Sequence, residues 1–200
     1  MSNSYKSLVS QLQAHKGFLT PDIQCLFKAN SCFAFTEQTH REGEKLGVDF
    51  AMVFDLPQKQ IKRTTQLINA LSAGDYKNID YTHARILCAM RLAGSYDLTT
   101  DAVIALAAGV IGEGINTRGI SRSAVNALFS SSHGLSTVQT KVSNSTGKNG
   151  IYQCLGVSWG APGERNHTIS LNTDSPIVKR FFSLLDNATV GQLGELVGSK

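Results

Sequence analysis

The sequence predicts a mainly α-helical protein with a small β-hairpin or three-stranded sheet, on three observations. Apolar residues recur at helical spacing in successive blocks, punctuated by Gly17, Pro21, Gly74 and Gly94. Two strand-like runs, 137–143 and 151–159, flank Asn144-Ser145-Thr146-Gly147-Lys148-Asn149-Gly150, whose Asn-Gly ending is a hairpin signal. A third strand-like run, 167–171, precedes a terminal apolar helix that opens at Pro176.

The first element is a short helix within residues 1–20, where Leu8, Leu12 and the Val9/Gln13 neighbourhood form one apolar edge. Pro21 opens a denser stretch in which Ile23, Leu26, Phe27, Cys32, Phe33 and Phe35 precede a polar passage, 36–45; this is one long helix or two short ones. Residues 47–57 are apolar and end at Pro57, and periodicity does not choose there between a buried strand and a packed loop. Residues 58–73 make a clearer helix, with Ile61, Thr65, Ile68 and Leu71 along one edge and Lys59, Lys62 and Arg63 on the other. Asn78-Ile79-Asp80 starts the next helix, 81–93, which carries Ile86, Leu87, Met90 and Leu92 as far as Gly94.

Leu98-Thr99-Thr100-Asp101 then offers N-cap residues to 102–111, where Val103, Ile104, Ala107, Ala108 and Ile111 fall at helical spacing. After a glycine-rich connection, 120–129 opens with a Ser cap and gathers Ile120, Ala124, Val125, Leu128 and Phe129 on one side. Arg122, Ser123 and Asn126 face outward, as a helix reading a DNA groove requires. Two helices followed by a hairpin read as a winged helix-turn-helix, with 120–130 as the reading helix and 137–159 as the wing. The chain divides into a helical N-terminal extension, 1–75, for dimerisation or an accessory role, the winged domain, 76–172, and a C-terminal helix, 173–200. In that last part Ile177, Val178, Phe181, Phe182, Leu184 and Leu185 supply apolar surface for core packing or for a dimer interface.

Charge points to the same stretch. No acidic residue lies between Glu113 and Glu164, while Arg118, Arg122, Lys141 and Lys148 do, so this window's +4 equals the formal charge of the whole chain. Basic side chains among small hydrogen-bonding residues suit a polyanion backbone, although four cations over this span also make an ordinary solvated face. Composition is that of a folded protein, with 42% hydrophobic residues. Neither a signal-peptide pattern nor an apolar run of membrane-spanning length occurs, so a cytoplasmic location is expected.

Other chemistries find less footing. Gly109, Gly112, Gly114 and Gly119 lack the spacing and the Gly-Lys-Ser/Thr ending of a phosphate loop. Cys154 and His167 have neither an orienting third residue nor an oxyanion device, so no catalytic residue and no enzyme activity are expected. Cys25, Cys32, Cys88 and Cys154 form no Cys-x-x-Cys pair, and the histidines show no i,i+4 pair, which leaves no expected metal or cofactor. Cys25 and Cys32, seven apart, share a face if the segment is one helix, and their apolar flanks favour desolvated, unreactive thiols.

The order from Tyr81-Thr82-His83-Ala84-Arg85-Ile86-Leu87, through the Leu98-Thr99 step, 102–111, Ile120-Ser121-Arg122-Ser123 and the hairpin, to Thr168-Ile169-Ser170-Leu171-Asn172, resembles the MarR family of winged-helix transcriptional regulators. The likeness spans about residues 80–190, with a longer helix–helix connection and a longer N-terminus than that family has. It implies a homodimer on double-stranded DNA, reading a pseudo-palindrome, with a small-molecule or redox effector. Carried over, Ser121, Arg122, Ser123 and Asn126 would read bases, Lys141, Lys148 and Asn149 would belong to the wing, and Arg118 would hold phosphate. The alternative class is a protein-interaction or assembly module of a mobile element, using the hairpin and the terminal helix.

Overall fold

The computed structural model describes residues 4–92, 97–109, 134–146, 157–159 and 168–198. Helices form where the apolar period is helical and a polar side chain starts it. In α1 (Tyr5–Ala14) the Ser4 hydroxyl accepts the Ser7 amide, and Leu8 and Leu12 are buried. Pro21 sits in the first turn of the short α2 (Pro21–Gln24), and a 3-10 turn, Cys25–Phe27, follows. Asn30 then takes the left-handed conformation at φ 63°, and Asn69 donates to the carbonyls of Cys32 and Ala34 at 3.0 and 2.9 Å. Those bonds hold 30–35 out of helix, which is why the dense stretch after Pro21 breaks into pieces.

A capping box between Thr36 and Thr39 opens α3 (Glu37–Lys45), and Asp49 caps α4 (Phe50–Phe54), so part of the passage that periodicity left open is helical. The rings of Phe35, Phe50 and Phe54 meet at centroid distances of 5.0 to 5.8 Å. A Cβ on Gly43 would lie 2.3 Å from the Phe50 ring, so only glycine lets α3 approach so closely. Behind them runs α5 (Gln58–Ala73), with the predicted bounds, its Ile61, Thr65, Ile68 and Leu71 edge buried, and Gly74 ending it at φ 67°.

The second half contains α6 (Tyr81–Leu92), β1 (Asp97–Thr99), α7 (Thr100–Ala108), α8 (Leu135–Thr146), β2 (Val157–Trp159), β3 (Thr168–Leu171), α9 (Pro176–Asp186) and α10 (Val190–Val197). The sheet has β3 at its centre, antiparallel to β1 through Leu98↔Ile169 and to β2 through Ser158↔Ser170. Thr99 ends β1 and caps α7 with its hydroxyl, at 3.3 Å from the Ala102 amide. From Ala102 to Ala108 every residue of α7 is buried, and α6, α8, β1 and β3 all touch it.

One expectation is overturned. Residues 137–143, predicted as the first strand of a hairpin, lie inside α8. Their Thr and Val content favours a strand. Val138 and Val142, however, are both buried against the helical core while Thr140 between them is exposed, a pattern a helix gives and a strand, in which 138, 140 and 142 share one face, does not. β2, at the end of the predicted second strand, pairs instead with β3, with 160–167 linking the two in sequence. The predicted helix at 120–130 and the turn at 149–150 lie outside the described residues.

The terminal helices are part of the core. Ile177, Val178, Phe181 and Leu184 of α9 and Leu196 and Val197 of α10 are buried in a hydrophobic cluster that runs from Leu8 to Val197. Arg180 donates to the Leu71 carbonyl at 3.0 Å, and the Tyr76 hydroxyl to that of Leu184 at 2.9 Å, fastening α9 to α5 and the turn after it. Arg91 lies over the Phe182 ring at 4.7 Å and pairs with Asp186 at 2.7 Å.

Deeper still is Arg85, with no exposed surface, whose Nε donates to the Ala107 carbonyl at 2.5 Å and whose Nη1 donates to that of Val197 at 3.2 Å. Both acceptors lie in the last turn of a helix, where carbonyls lack intrahelical partners and the dipole favours a cation. Burial pushes the guanidinium down to about 10, so it stays charged at neutral pH. Arg85→Leu is expected to cost about 2–4 kcal/mol in urea denaturation, because it strands these carbonyls; unchanged stability would contradict this role.

Candidate nucleic-acid interface

The candidate interface is α8. Its amides at Thr137 and Val138 bond to the Gly134 carbonyl at 3.0 and 3.3 Å, and its inner side is Val138 and Val142. Opposite them, Ser136, Gln139, Thr140 and Ser143 recur at i, i+3, i+4 and i+7, and all are exposed, as is Thr137 between them. No residue of α8 is acidic, and its single charge is Lys141.

That lysine turns inward. Its side chain is 13% exposed, and the ammonium meets the Asp80 carboxylate at 2.5 Å. The other Asp80 oxygen accepts the amides of Thr82 and His83, at 3.0 and 3.3 Å, at the start of α6. One carboxylate thus caps α6 and anchors α8. Burial works against its ionisation, but the neighbouring His83 and Lys141 outweigh burial and hold the carboxyl below the usual range.

His83 itself is buried, and desolvation, opposed by Asp80 and reinforced by Lys141, pushes the imidazole down from 6.5 to about 4. The folded state therefore keeps it neutral, and the unfolded chain takes up the proton first as pH falls. This contribution to stability is complete above about pH 6.5 and is lost on the way down to about 4. Asp80 adds a loss of the same sign below the ordinary carboxylate range. Stability by urea denaturation is expected to fall by up to about 3 kcal/mol over that window, at about 1.4 kcal/mol per unit. His83→Leu is expected to flatten the profile; an unchanged slope would place the effect elsewhere.

Of the predicted site residues, Lys141 is on α8 and faces Asp80 rather than forming a wing. Arg118, Ser121, Arg122, Ser123, Asn126, Lys148 and Asn149 lie outside the described residues. The exposed line of Ser136, Gln139, Thr140 and Ser143 was missed, because the Val138/Val142 spacing fits a strand face as well as a helix face.

Cys25 and Cys32 share no helical face, because the 3-10 turn ends at Phe27. Burial, the largest influence, raises the Cys25 thiol pKa, and Cys88 is pushed up to about 12 by the same cause, the reverse of what a reactive thiolate needs. A polar cleft of about 500 Å³ in the N-terminal half is lined by Asn30, Gln38, Glu42, Asn69 and Ser72 among others. Its Asn69 is already bonded to Thr39, Cys32 and Ala34. Among the described residues, no group of three His, Cys, Asp or Glu residues is placed to hold a metal, and no helix is long and apolar enough to cross a membrane. No family model matches the chain, and neither a curated protein nor a solved structure matches it at a significant level.

Proposed function

We propose that the chain is a winged helix-turn-helix DNA-binding protein, a dimeric transcriptional regulator in which α8 is the groove-reading helix and β2 and β3 carry the wing. The observation that carries this reading is the two-sidedness of α8: valines packed on the helical core, and opposite them an acid-free line of hydroxyl and amide side chains open to solvent. Element order supports it. Among the described residues, a helix, a short strand, a second helix, the proposed reading helix and two antiparallel strands occur in that order, with the last strand central in the sheet.

This reading keeps the resemblance to the MarR family but shifts the reading helix from 120–130 to 135–146. Residues 110–133 then separate the paired helices in sequence, and in this proposal Arg118 and Arg122 among them, with Lys148, supply phosphate contacts rather than base readout. A pseudo-palindromic site follows from a two-fold dimer.

Binding to duplex DNA is expected to weaken steeply between 50 and 200 mM salt, with a slope of roughly 0.9 per phosphate neutralised. The double variant Gln139→Ala/Thr140→Ala is expected to lose about 1–3 kcal/mol on a selected site and little on random DNA. Unchanged specificity in that variant would return the reading role to 120–130. Absence of binding at low salt would sink the DNA reading and favour a protein-interaction module.

A further inference from the structure

We propose that the outer face of α8 prefers A·T-containing steps in the major groove, with Gln139 reading adenine and the Thr140 methyl meeting thymine. The inference rests on the DNA-binding reading of α8 and adds its base preference. The occupant is duplex DNA on charge grounds: the fifty residues from 114 to 163 hold no carboxylate and, beside the Lys141 that Asp80 neutralises, three further cations, Arg118, Arg122 and Lys148.

The preference follows from which donors and acceptors the face offers. Guanine shows two acceptors, O6 and N7, and is matched by a side chain bearing two donors, as Arg is. Adenine shows a donor beside an acceptor, and one planar carboxamide matches that pair. Gln139 is the single carboxamide among the exposed described side chains of α8, which carry no guanidinium at all. Its cation, Lys141, lies on the inner side between the valines and is held by Asp80, so bringing it to a guanine means breaking a partly buried ion pair. Thr140, next to Gln139 on the open face, presents a methyl group suited to the C5-methyl of thymine. Ser136 and Ser143 donate or accept equally well and add no preference of their own.

The test is equilibrium binding of the full chain to two duplex pools with identical flanks, one with A·T-only and one with G·C-only centres, at one fixed salt concentration. The A·T pool is expected to bind about tenfold tighter, the fold-change that one good bidentate pair supports. Gln139→Arg is expected to shift the preference toward G·C. Replacing thymine by uracil, which removes the C5-methyl and leaves the minor groove untouched, is expected to weaken wild type by a few fold and Thr140→Ser not at all. Asp80→Asn keeps an acceptor for the α6 amides while releasing Lys141, and is expected to raise G·C binding. Circular dichroism of each variant checks that it is folded.

Equal binding of both pools, unaltered by Gln139→Arg, overturns the base preference and leaves DNA binding standing. An A·T preference that survives both uracil substitution and Gln139→Ala comes from the minor groove and also overturns the assignment. Failure to bind either pool at low salt overturns the DNA reading and this inference together.

Discussion

A helix buried on every side fixes the second half of this protein. From Ala102 to Ala108, α7 meets protein all round, which a helix tolerates only if it carries no polar side chain and is slim enough for several neighbours to touch it at once. Four alanines in seven residues make it slim, and Val103, Ile104 and Leu106 fill the gaps. Its position settles where α6, α8, β1 and β3 lie. The outer face of α8 is exposed because its valines are already committed to this helical core.

Such a hub leaves its ends as the difficulty, since the last carbonyls of a buried helix have no water to turn to. Arg85 from α6 answers it by reaching the ends of α7 and α10 together. A planar, always-charged fork suits two carbonyls from different helices better than any neutral donor. Asp80, five residues earlier on the same helix, does the converse at the N-terminal end, pairing an anion with free amides and with Lys141. One helix thus carries an anion at its start and a buried cation a turn later, and each ties α6 to a different neighbour.

Much of this was legible in the sequence where a single physical signal dominates. α5 stands at its predicted bounds because an apolar edge and a terminal glycine agree, and the Leu98-Thr99 step was visible as a helix start. The breaks after Pro21 were not, since they depend on Asn69, thirty-odd residues away, bonding to the backbone of 32–34. Likewise, Thr137-Val138-Gln139-Thr140-Lys141-Val142 reads as a strand by propensity, and only the hub that its valines must reach makes it a helix. The misreading also hid the candidate site, because in a strand Gln139 and Thr140 point to opposite faces, whereas in a helix they share one.

The placement of Lys141 changes what the charge pattern means. Counted along the chain, it is one of four cations in an acid-free window; in the fold it is an internal tether whose charge is matched by Asp80. The face of α8 that remains is nearly neutral. In the proposed function, such a face adds little to the general attraction for DNA and mainly distinguishes one base pair from another, because neutral hydrogen bonds to base edges gain little at non-matching sites. Attraction to phosphate then falls to cations outside α8, with Arg118, Arg122 and Lys148 the nearest in sequence. In that proposal, separating the two tasks leaves α8 positioned by buried valines and one ion pair, so that its register on the bases would be set by the protein core rather than by long surface side chains.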